Sequence, residues 1–140
     1  PVVFISIVVG YGTAVQATPV FGWLVEQVLS LDMNPYLLTF VAVNLLAGMT
    51  ANGTGGVTLF MENFGATILG NPAINVGALH RIAAISGAGF DSLPHNGAIA
   101  FQLSVFKLSY KDGYFQQFMM SVLVNLLAGL LAVLMAVVLF

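Results

Sequence analysis

The sequence predicts an all-α integral membrane fold in which a re-entrant hairpin and a broken helix precede a terminal spanning helix. Three observations carry that expectation. The 140 residues are 59% hydrophobic and 6% charged, whereas soluble domains carry roughly a quarter charged residues, so a water-facing surface cannot be built from them. Two apolar stretches are interrupted by glycine-rich polar segments, at 50–56 and 86–97, while a third, 118–140, runs without a break. In lipid, unwound backbone is tolerated only where protein buries it or where it lines a watery cavity, so such interruptions mark a site.

Composition also excludes several classes. Three basic residues and a formal net charge of -2 leave no footprint for nucleic acid, which needs clustered Lys and Arg. With no cysteine there are no disulfides and no thiolate metal sites, and the redox compartment is unreadable. No metal or other cofactor is expected. The chain begins at Pro1 inside an apolar run, with neither an initiator Met nor a basic n-region, and reads as a piece of something longer.

The elements follow in order. Residues 2–9 are apolar and Gly10-Tyr11-Gly12-Thr13 breaks them, which predicts the tail of a spanning helix. A potassium-filter reading of the GYG triplet fails, because no Thr-Val precedes it and no pore helix leads into it. Over 19–31, Phe21, Leu24, Val25, Val28 and Leu29 share one helical stripe with Glu26 and Gln27 opposite and Trp23 as a headgroup-level anchor, the pattern of an interfacial arm. Residues 1–34 therefore form the end of a spanning helix plus an arm.

Residues 35–112 read as one unit. Its hairpin, 35–70, has two apolar arms of about 14 residues, roughly 20 Å each at the helical rise, too short for a hydrocarbon core of about 30 Å. They predict half-spans entering and leaving by one face, with the polar tip near the midplane. The broken helix, 73–106, runs from about Val76 to Ser86, unwinds over 87–93 and resumes at Pro94, where a missing N–H costs nothing. The following loop, 107–113, is cytoplasmic by the positive-inside bias, since it holds Lys107 and Lys111. Residues 113–140 end in an apolar stretch of about 23 residues, long enough to span with some tilt. A hairpin followed by a broken helix and a plain helix is one half of an inverted-repeat transporter, here the C-terminal half, and the N-terminal half is the missing partner.

The candidate binding groups lie in the two interruptions. At the tip, Thr50, Asn52, Gly53, Thr54 and Gly55 leave amides and short polar side chains exposed, the donors an anion needs, and the two helix ends meeting there add partial positive charge for a carboxylate or carbonyls for a cation. In the break, Ser86, Gly87 and Ser92 flank Asp91, and His95 and Asn96 fall in the first turn of the resumed helix. An ionisable group at membrane depth is functional by default, which makes Asp91 and His95 the candidates for carrying a proton. The plainer reading of Asp91 or Ser92 is a cap for the helix restarting at Pro94. Arg81 lies about six residues, roughly 9 Å, before the break, and its side chain leans away from it. Glu62, about nine residues beyond the tip, falls near the headgroups. Asn44, Gln102 and Asn125 suit hydrogen bonds between helices.

LHRIAAISGAGFDSLPHNGAI at 79–99, with the turn at 50–56 and the arm GYGTAVQATPVFGWLVEQVL, resembles the C-terminal part of the gluconate:proton symporter family of bacterial permeases. The Asp-Ser-Leu-Pro-His-Asn signature at 91–96 is closer to the hydroxybutyrate-type permeases of that family than to gluconate permeases proper. The resemblance implies the ion-transporter superfamily, an elevator-like transport unit, a multi-pass protein of the bacterial inner membrane, and an anion site lined by 50–56 and 86–97. It implies symport of gluconate or a small hydroxy-monocarboxylate with H+, Na+ being the alternative, with the bilayer as the other partner and a homodimer left open. No catalytic residue is expected. An intramembrane aspartyl protease needs Gly-x-Gly-Asp, but Gly87-Ala88-Gly89-Phe90-Asp91 has one residue too many, and the other aspartates, Asp32 and Asp112, lie in loops. A non-transporting scaffold would leave the polar break without a purpose.

Overall fold

The computed structural model describes residues 3, 6, 10, 13–31 and 33–140. Most of the expected spanning-helix tail over 2–9, together with Tyr11, Gly12 and Asp32, lies outside the described residues. Among those described, every regular element is helical.

Side-chain caps start most of these helices. Helix α1, Pro19–Leu29, opens on Pro19 with the Thr18 hydroxyl accepting from the Phe21 amide, and α2, Pro35–Thr50, opens on Pro35 with Asn34 accepting from Tyr36. Both use proline where its missing N–H is harmless and a short polar residue where a free amide needs an acceptor. Asn52 caps α3, Gly53–Leu69, and Asn75 caps α4, Val76–Gly87. After a 3-10 turn at Phe90–Ser92, α5, Gly97–Val105, starts from Asn96, and α6, Tyr110–Gln117, from Ser109. A π turn at Phe118–Leu123 carries α6 into α7, Val124–Leu139.

Helices α2 and α3 form a hairpin, and α4 packs on both of its arms while α7 closes over α2 and α4. The core lies between them, with Phe60, Phe64, Leu46, Ile82 and Val43 fully or almost fully buried. Phe60 and Phe64 stack at 5.3 Å with their rings 13° apart. The predicted stripe of α1 faces inward: Phe21, Val25 and Val28 are buried in the same cluster and Leu24 packs against it. Trp23, 59% exposed, lies on the outer side.

Several expected boundaries move. The hairpin turn is only Ala51 and Asn52, because 53–56 already form the first turn of α3. Ala51 supplies the left-handed residue of the turn, with φ of 51°, so the glycines are needed for close packing instead. The arms accordingly have 16 and 17 residues, about 24 and 26 Å long, still short of a hydrocarbon core of about 30 Å. The broken helix resumes at Gly97, not at Pro94, since Pro94 and His95 form a turn and Asn96 is the cap. Neither Asp91 nor Ser92 caps that helix. The loop expected to run to Gly113 ends at Ser109, and Tyr110–Leu139 is one continuous helical stretch of 30 residues, long and apolar enough to cross a membrane.

Candidate functional site

The hairpin turn and the break in α4 meet because two glycines allow it. A Cβ on Gly53 would lie 2.2 Å from the Gly87 carbonyl oxygen, and one on Gly87 would lie 3.0 Å from a Val57 methyl. Backbone therefore rests directly on backbone where α3 starts and α4 ends. Beside this contact opens a cavity of about 390 Å³, walled by Gly53, Thr54 and Val57 of α3 and by Gly87, Ala88 and Asp91 of the break. Its volume sits near the lower end of the roughly 300–1,000 Å³ of small-molecule sites.

Asp91 is half-buried in that wall. Its carboxylate takes a hydrogen bond from the Ser92 hydroxyl at 2.8 Å and one from the Gly53 amide. It thus links the break to the first residue of α3. Two further side chains tie the same segments together. His95 Nε2 lies 2.7 Å from the Gly48 carbonyl oxygen, so this nitrogen carries the proton and donates. Asn96 Nδ2 donates to the Ala51 carbonyl at 2.9 Å and to that of Asp91, while its Oδ1 accepts from Ala98 and Ile99. Buried Asn96 has every polar group engaged, which fixes the turn of the hairpin against the start of α5.

Of the residues expected from sequence to bind solute, Gly53, Thr54 and Gly87 line the cavity with Asp91. Thr50 and Ser86 do not open toward it. Both are 1% exposed, and their hydroxyls donate back along their own helices, to Leu46 at 2.8 Å and to Ile82 at 2.7 Å. Asn52 is spent on capping, its Oδ1 accepting from the Gly55 amide at 3.1 Å. Ser92 acts on Asp91. His95 faces a second, largely apolar cavity of about 510 Å³ shared with Gly48, Met49, Phe90 and Leu93. Arg81 is exposed and donates to Gly77, one turn back toward the start of α4, and Glu62 is exposed.

Two contacts to the break escaped the sequence reading. Tyr110 and Tyr114 donate to the carbonyls of Pro94 and Ser92, at 2.9 and 3.2 Å, and their rings continue into Phe118 with centroids 5.8 and 6.0 Å apart. Their spacing of four along one helix face was the available signal. Asn125, expected to bond between helices, does so by donating to the Ala88 carbonyl at 3.3 Å. Asn44, given the same role, bonds within its own helix to Phe40. Its buried Oδ1 has no hydrogen-bond partner among the described residues and points at Gly89, whose Cβ would sit 2.1 Å from it.

Among the described residues one helix is long and apolar enough to cross a bilayer, which is consistent with a piece of a membrane protein. Comparison with known proteins supports a transporter in general. The chain is 29% identical over 108 residues to the "Uncharacterized transporter YxjC" of Bacillus subtilis (strain 168), a match covering 75% of this chain and 23% of that protein. The chain thus spans less than a quarter of the length of the relative it matches. No family model matches the chain, and no solved structure matches it.

Proposed function

We propose that this chain belongs to a secondary active transporter that carries a small organic anion, such as gluconate or a hydroxy-monocarboxylate, across the bacterial inner membrane together with H+. The observation that carries the reading is the meeting of the hairpin turn, the helix break and the Asp91 carboxyl in one cavity. In this reading α2 and α3 are the arms of a re-entrant hairpin, 35–112 is the moving unit, and a partner half of inverted topology completes the site. The amides at the start of α3 and the Thr54 side chain receive the anion, and Asp91 loads and releases the proton. Ser92, His95 and Asn96 hold the break against the hairpin. The similarity to a transporter supports the class, and the short arms support half-spans.

One observation favours Na+ as the coupling ion instead: the buried Asn44 Oδ1 beside the break, which has no hydrogen-bond partner among the described residues, is the kind of oxygen a hard cation takes. The test is uptake of labelled D-gluconate and 3-hydroxybutyrate into vesicles holding the full-length protein, under an imposed pH gradient, a Na+ gradient or neither. Saturable accumulation under the pH gradient is expected. Accumulation driven only by Na+ moves the coupling to the second reading, and uptake of neither acid under any gradient removes the carboxylate reading.

A further inference from the structure

In a continuous helix the carbonyls of Ala88, Ser92 and Pro94 would accept from the amides four residues on, those of Ser92, Asn96 and Ala98. Two of these amides bond elsewhere: Asn96 to the Leu93 carbonyl at 2.9 Å and Ala98 to the Asn96 side chain at 2.6 Å. The three carbonyls take side-chain donors from the terminal helical stretch instead. Tyr110 donates to Pro94 at 2.9 Å, Tyr114 to Ser92 at 3.2 Å and Asn125 to Ala88 at 3.3 Å. The stretch that carries these donors is itself held in place. A Cβ on Gly129 would lie 2.5 Å from the Phe40 ring and 3.6 Å from an Ile85 methyl, and Val133 and Ala136 are buried in the core. An unwound carbonyl at membrane depth needs a donor to replace its helical one, and here a single neighbouring segment supplies three.

Building on the transport reading, we infer that Tyr110, Tyr114 and Asn125 are positioning residues that clamp the break in its unwound shape, so that the cavity wall at 87–91 is formed before solute arrives. None of the three lines the cavity. Tyr114 acts nearest to it, because the Ser92 whose carbonyl it holds also donates to Asp91. Without the clamp the break samples other shapes, and only the molecules with the wall in place bind solute at full strength. Solute in excess draws the others back. The loss therefore falls on apparent affinity and spares the maximal rate.

The two hydroxyls can be removed without the rings, which keep their contacts with each other and with Phe118. The experiment compares full-length wild type with Tyr110→Phe/Tyr114→Phe in proteoliposomes, with labelled 3-hydroxybutyrate and D-gluconate as probes. KM is expected to rise about two- to tenfold for each hydroxyl removed, the worth of one net hydrogen bond, with the maximal rate kept. Amide hydrogen exchange in the absence of solute should quicken over 88–98 and keep its wild-type rate over 35–50. An unchanged KM, a fall in maximal rate alone, or exchange over 88–98 that is unchanged or quickens no more than over 35–50 overturns the inference while leaving transport itself intact. If the double variant fails to insert, Tyr114→Phe alone, read in the same way, decides. If the wild type takes up neither acid, the transport reading falls, and the exchange rates still decide whether the clamp holds the break.

Discussion

Gly53 and Gly87 bring the start of α3 and the end of α4 into backbone contact, and this contact sets Asp91 at the mouth of the cavity. At Gly53 even a methyl would meet a carbonyl oxygen at 2.2 Å, and no rotamer relieves a clash between backbones. Gly53→Ala is expected to separate the two segments and to lower saturable uptake about tenfold or more, equivalent to about 1.4 kcal/mol. The check is initial uptake rate normalised to the amount of protein in the membrane. That Asp91, Gly53, Thr54 and Gly87 wall one cavity was foreshadowed in sequence only in that polar and glycine residues are conspicuous inside apolar runs. Thr50 and Ser86 turn away from the cavity for a physical reason: a hydroxyl within a helix can satisfy itself on a carbonyl one turn back, and residue type alone does not say which way it turns. Asn96 was placed near the break correctly but in the wrong part of it, since Pro94 and His95 turn the chain before the helix restarts.

Where the hairpin arms cross, the same economy of side chains governs their fit. A Cβ on Gly56 would lie 2.5 Å from the Ala47 nitrogen and 2.7 Å from the Ala47 Cβ, so the arms close only around a residue without a side chain. Gly56→Val is expected to splay them and to cost about 1–3 kcal/mol, the usual range for overpacking. A lowered thermal midpoint of the detergent-solubilised full-length protein checks this, and an unchanged midpoint would show that the arms are not held in this register. The helix starts at Pro19 and Pro35 were legible from proline preceded by Thr or Asn. The hairpin turn was overestimated because a Thr/Asn/Gly run looks unwound, whereas Ala51 and Asn52 alone make the turn. The π turn at Phe118–Leu123 left no trace in a stretch that is apolar but for Ser121. It was hidden because periodicity cannot register one extra residue per turn where almost every position is apolar.

Helices α1, α2, α3, α4 and α7 contribute buried residues to one core, while α7 leaves Leu127, Leu131, Leu134 and Val138 between 60% and 81% exposed. An apolar surface of that extent suits lipid or the rest of a longer protein, in keeping with a chain that matches 23% of its relative. All-helical membrane character followed from composition, but the fit of the break against the hairpin turn depends on contacts between residues some 40 positions apart, which no local pattern encodes. The central claim is that the solute binds where these two segments meet, and Thr54 offers the most direct approach to it. Thr54 is exposed and lines the cavity, and these 140 residues contain no cysteine to add background. Thr54→Cys in the full-length protein is expected to react with a water-soluble thiol reagent and to be shielded, in a saturable manner, by the carboxylate it transports. Labelling that proceeds at the same rate with and without a transported carboxylate would contradict the account and move the binding site away from this cavity.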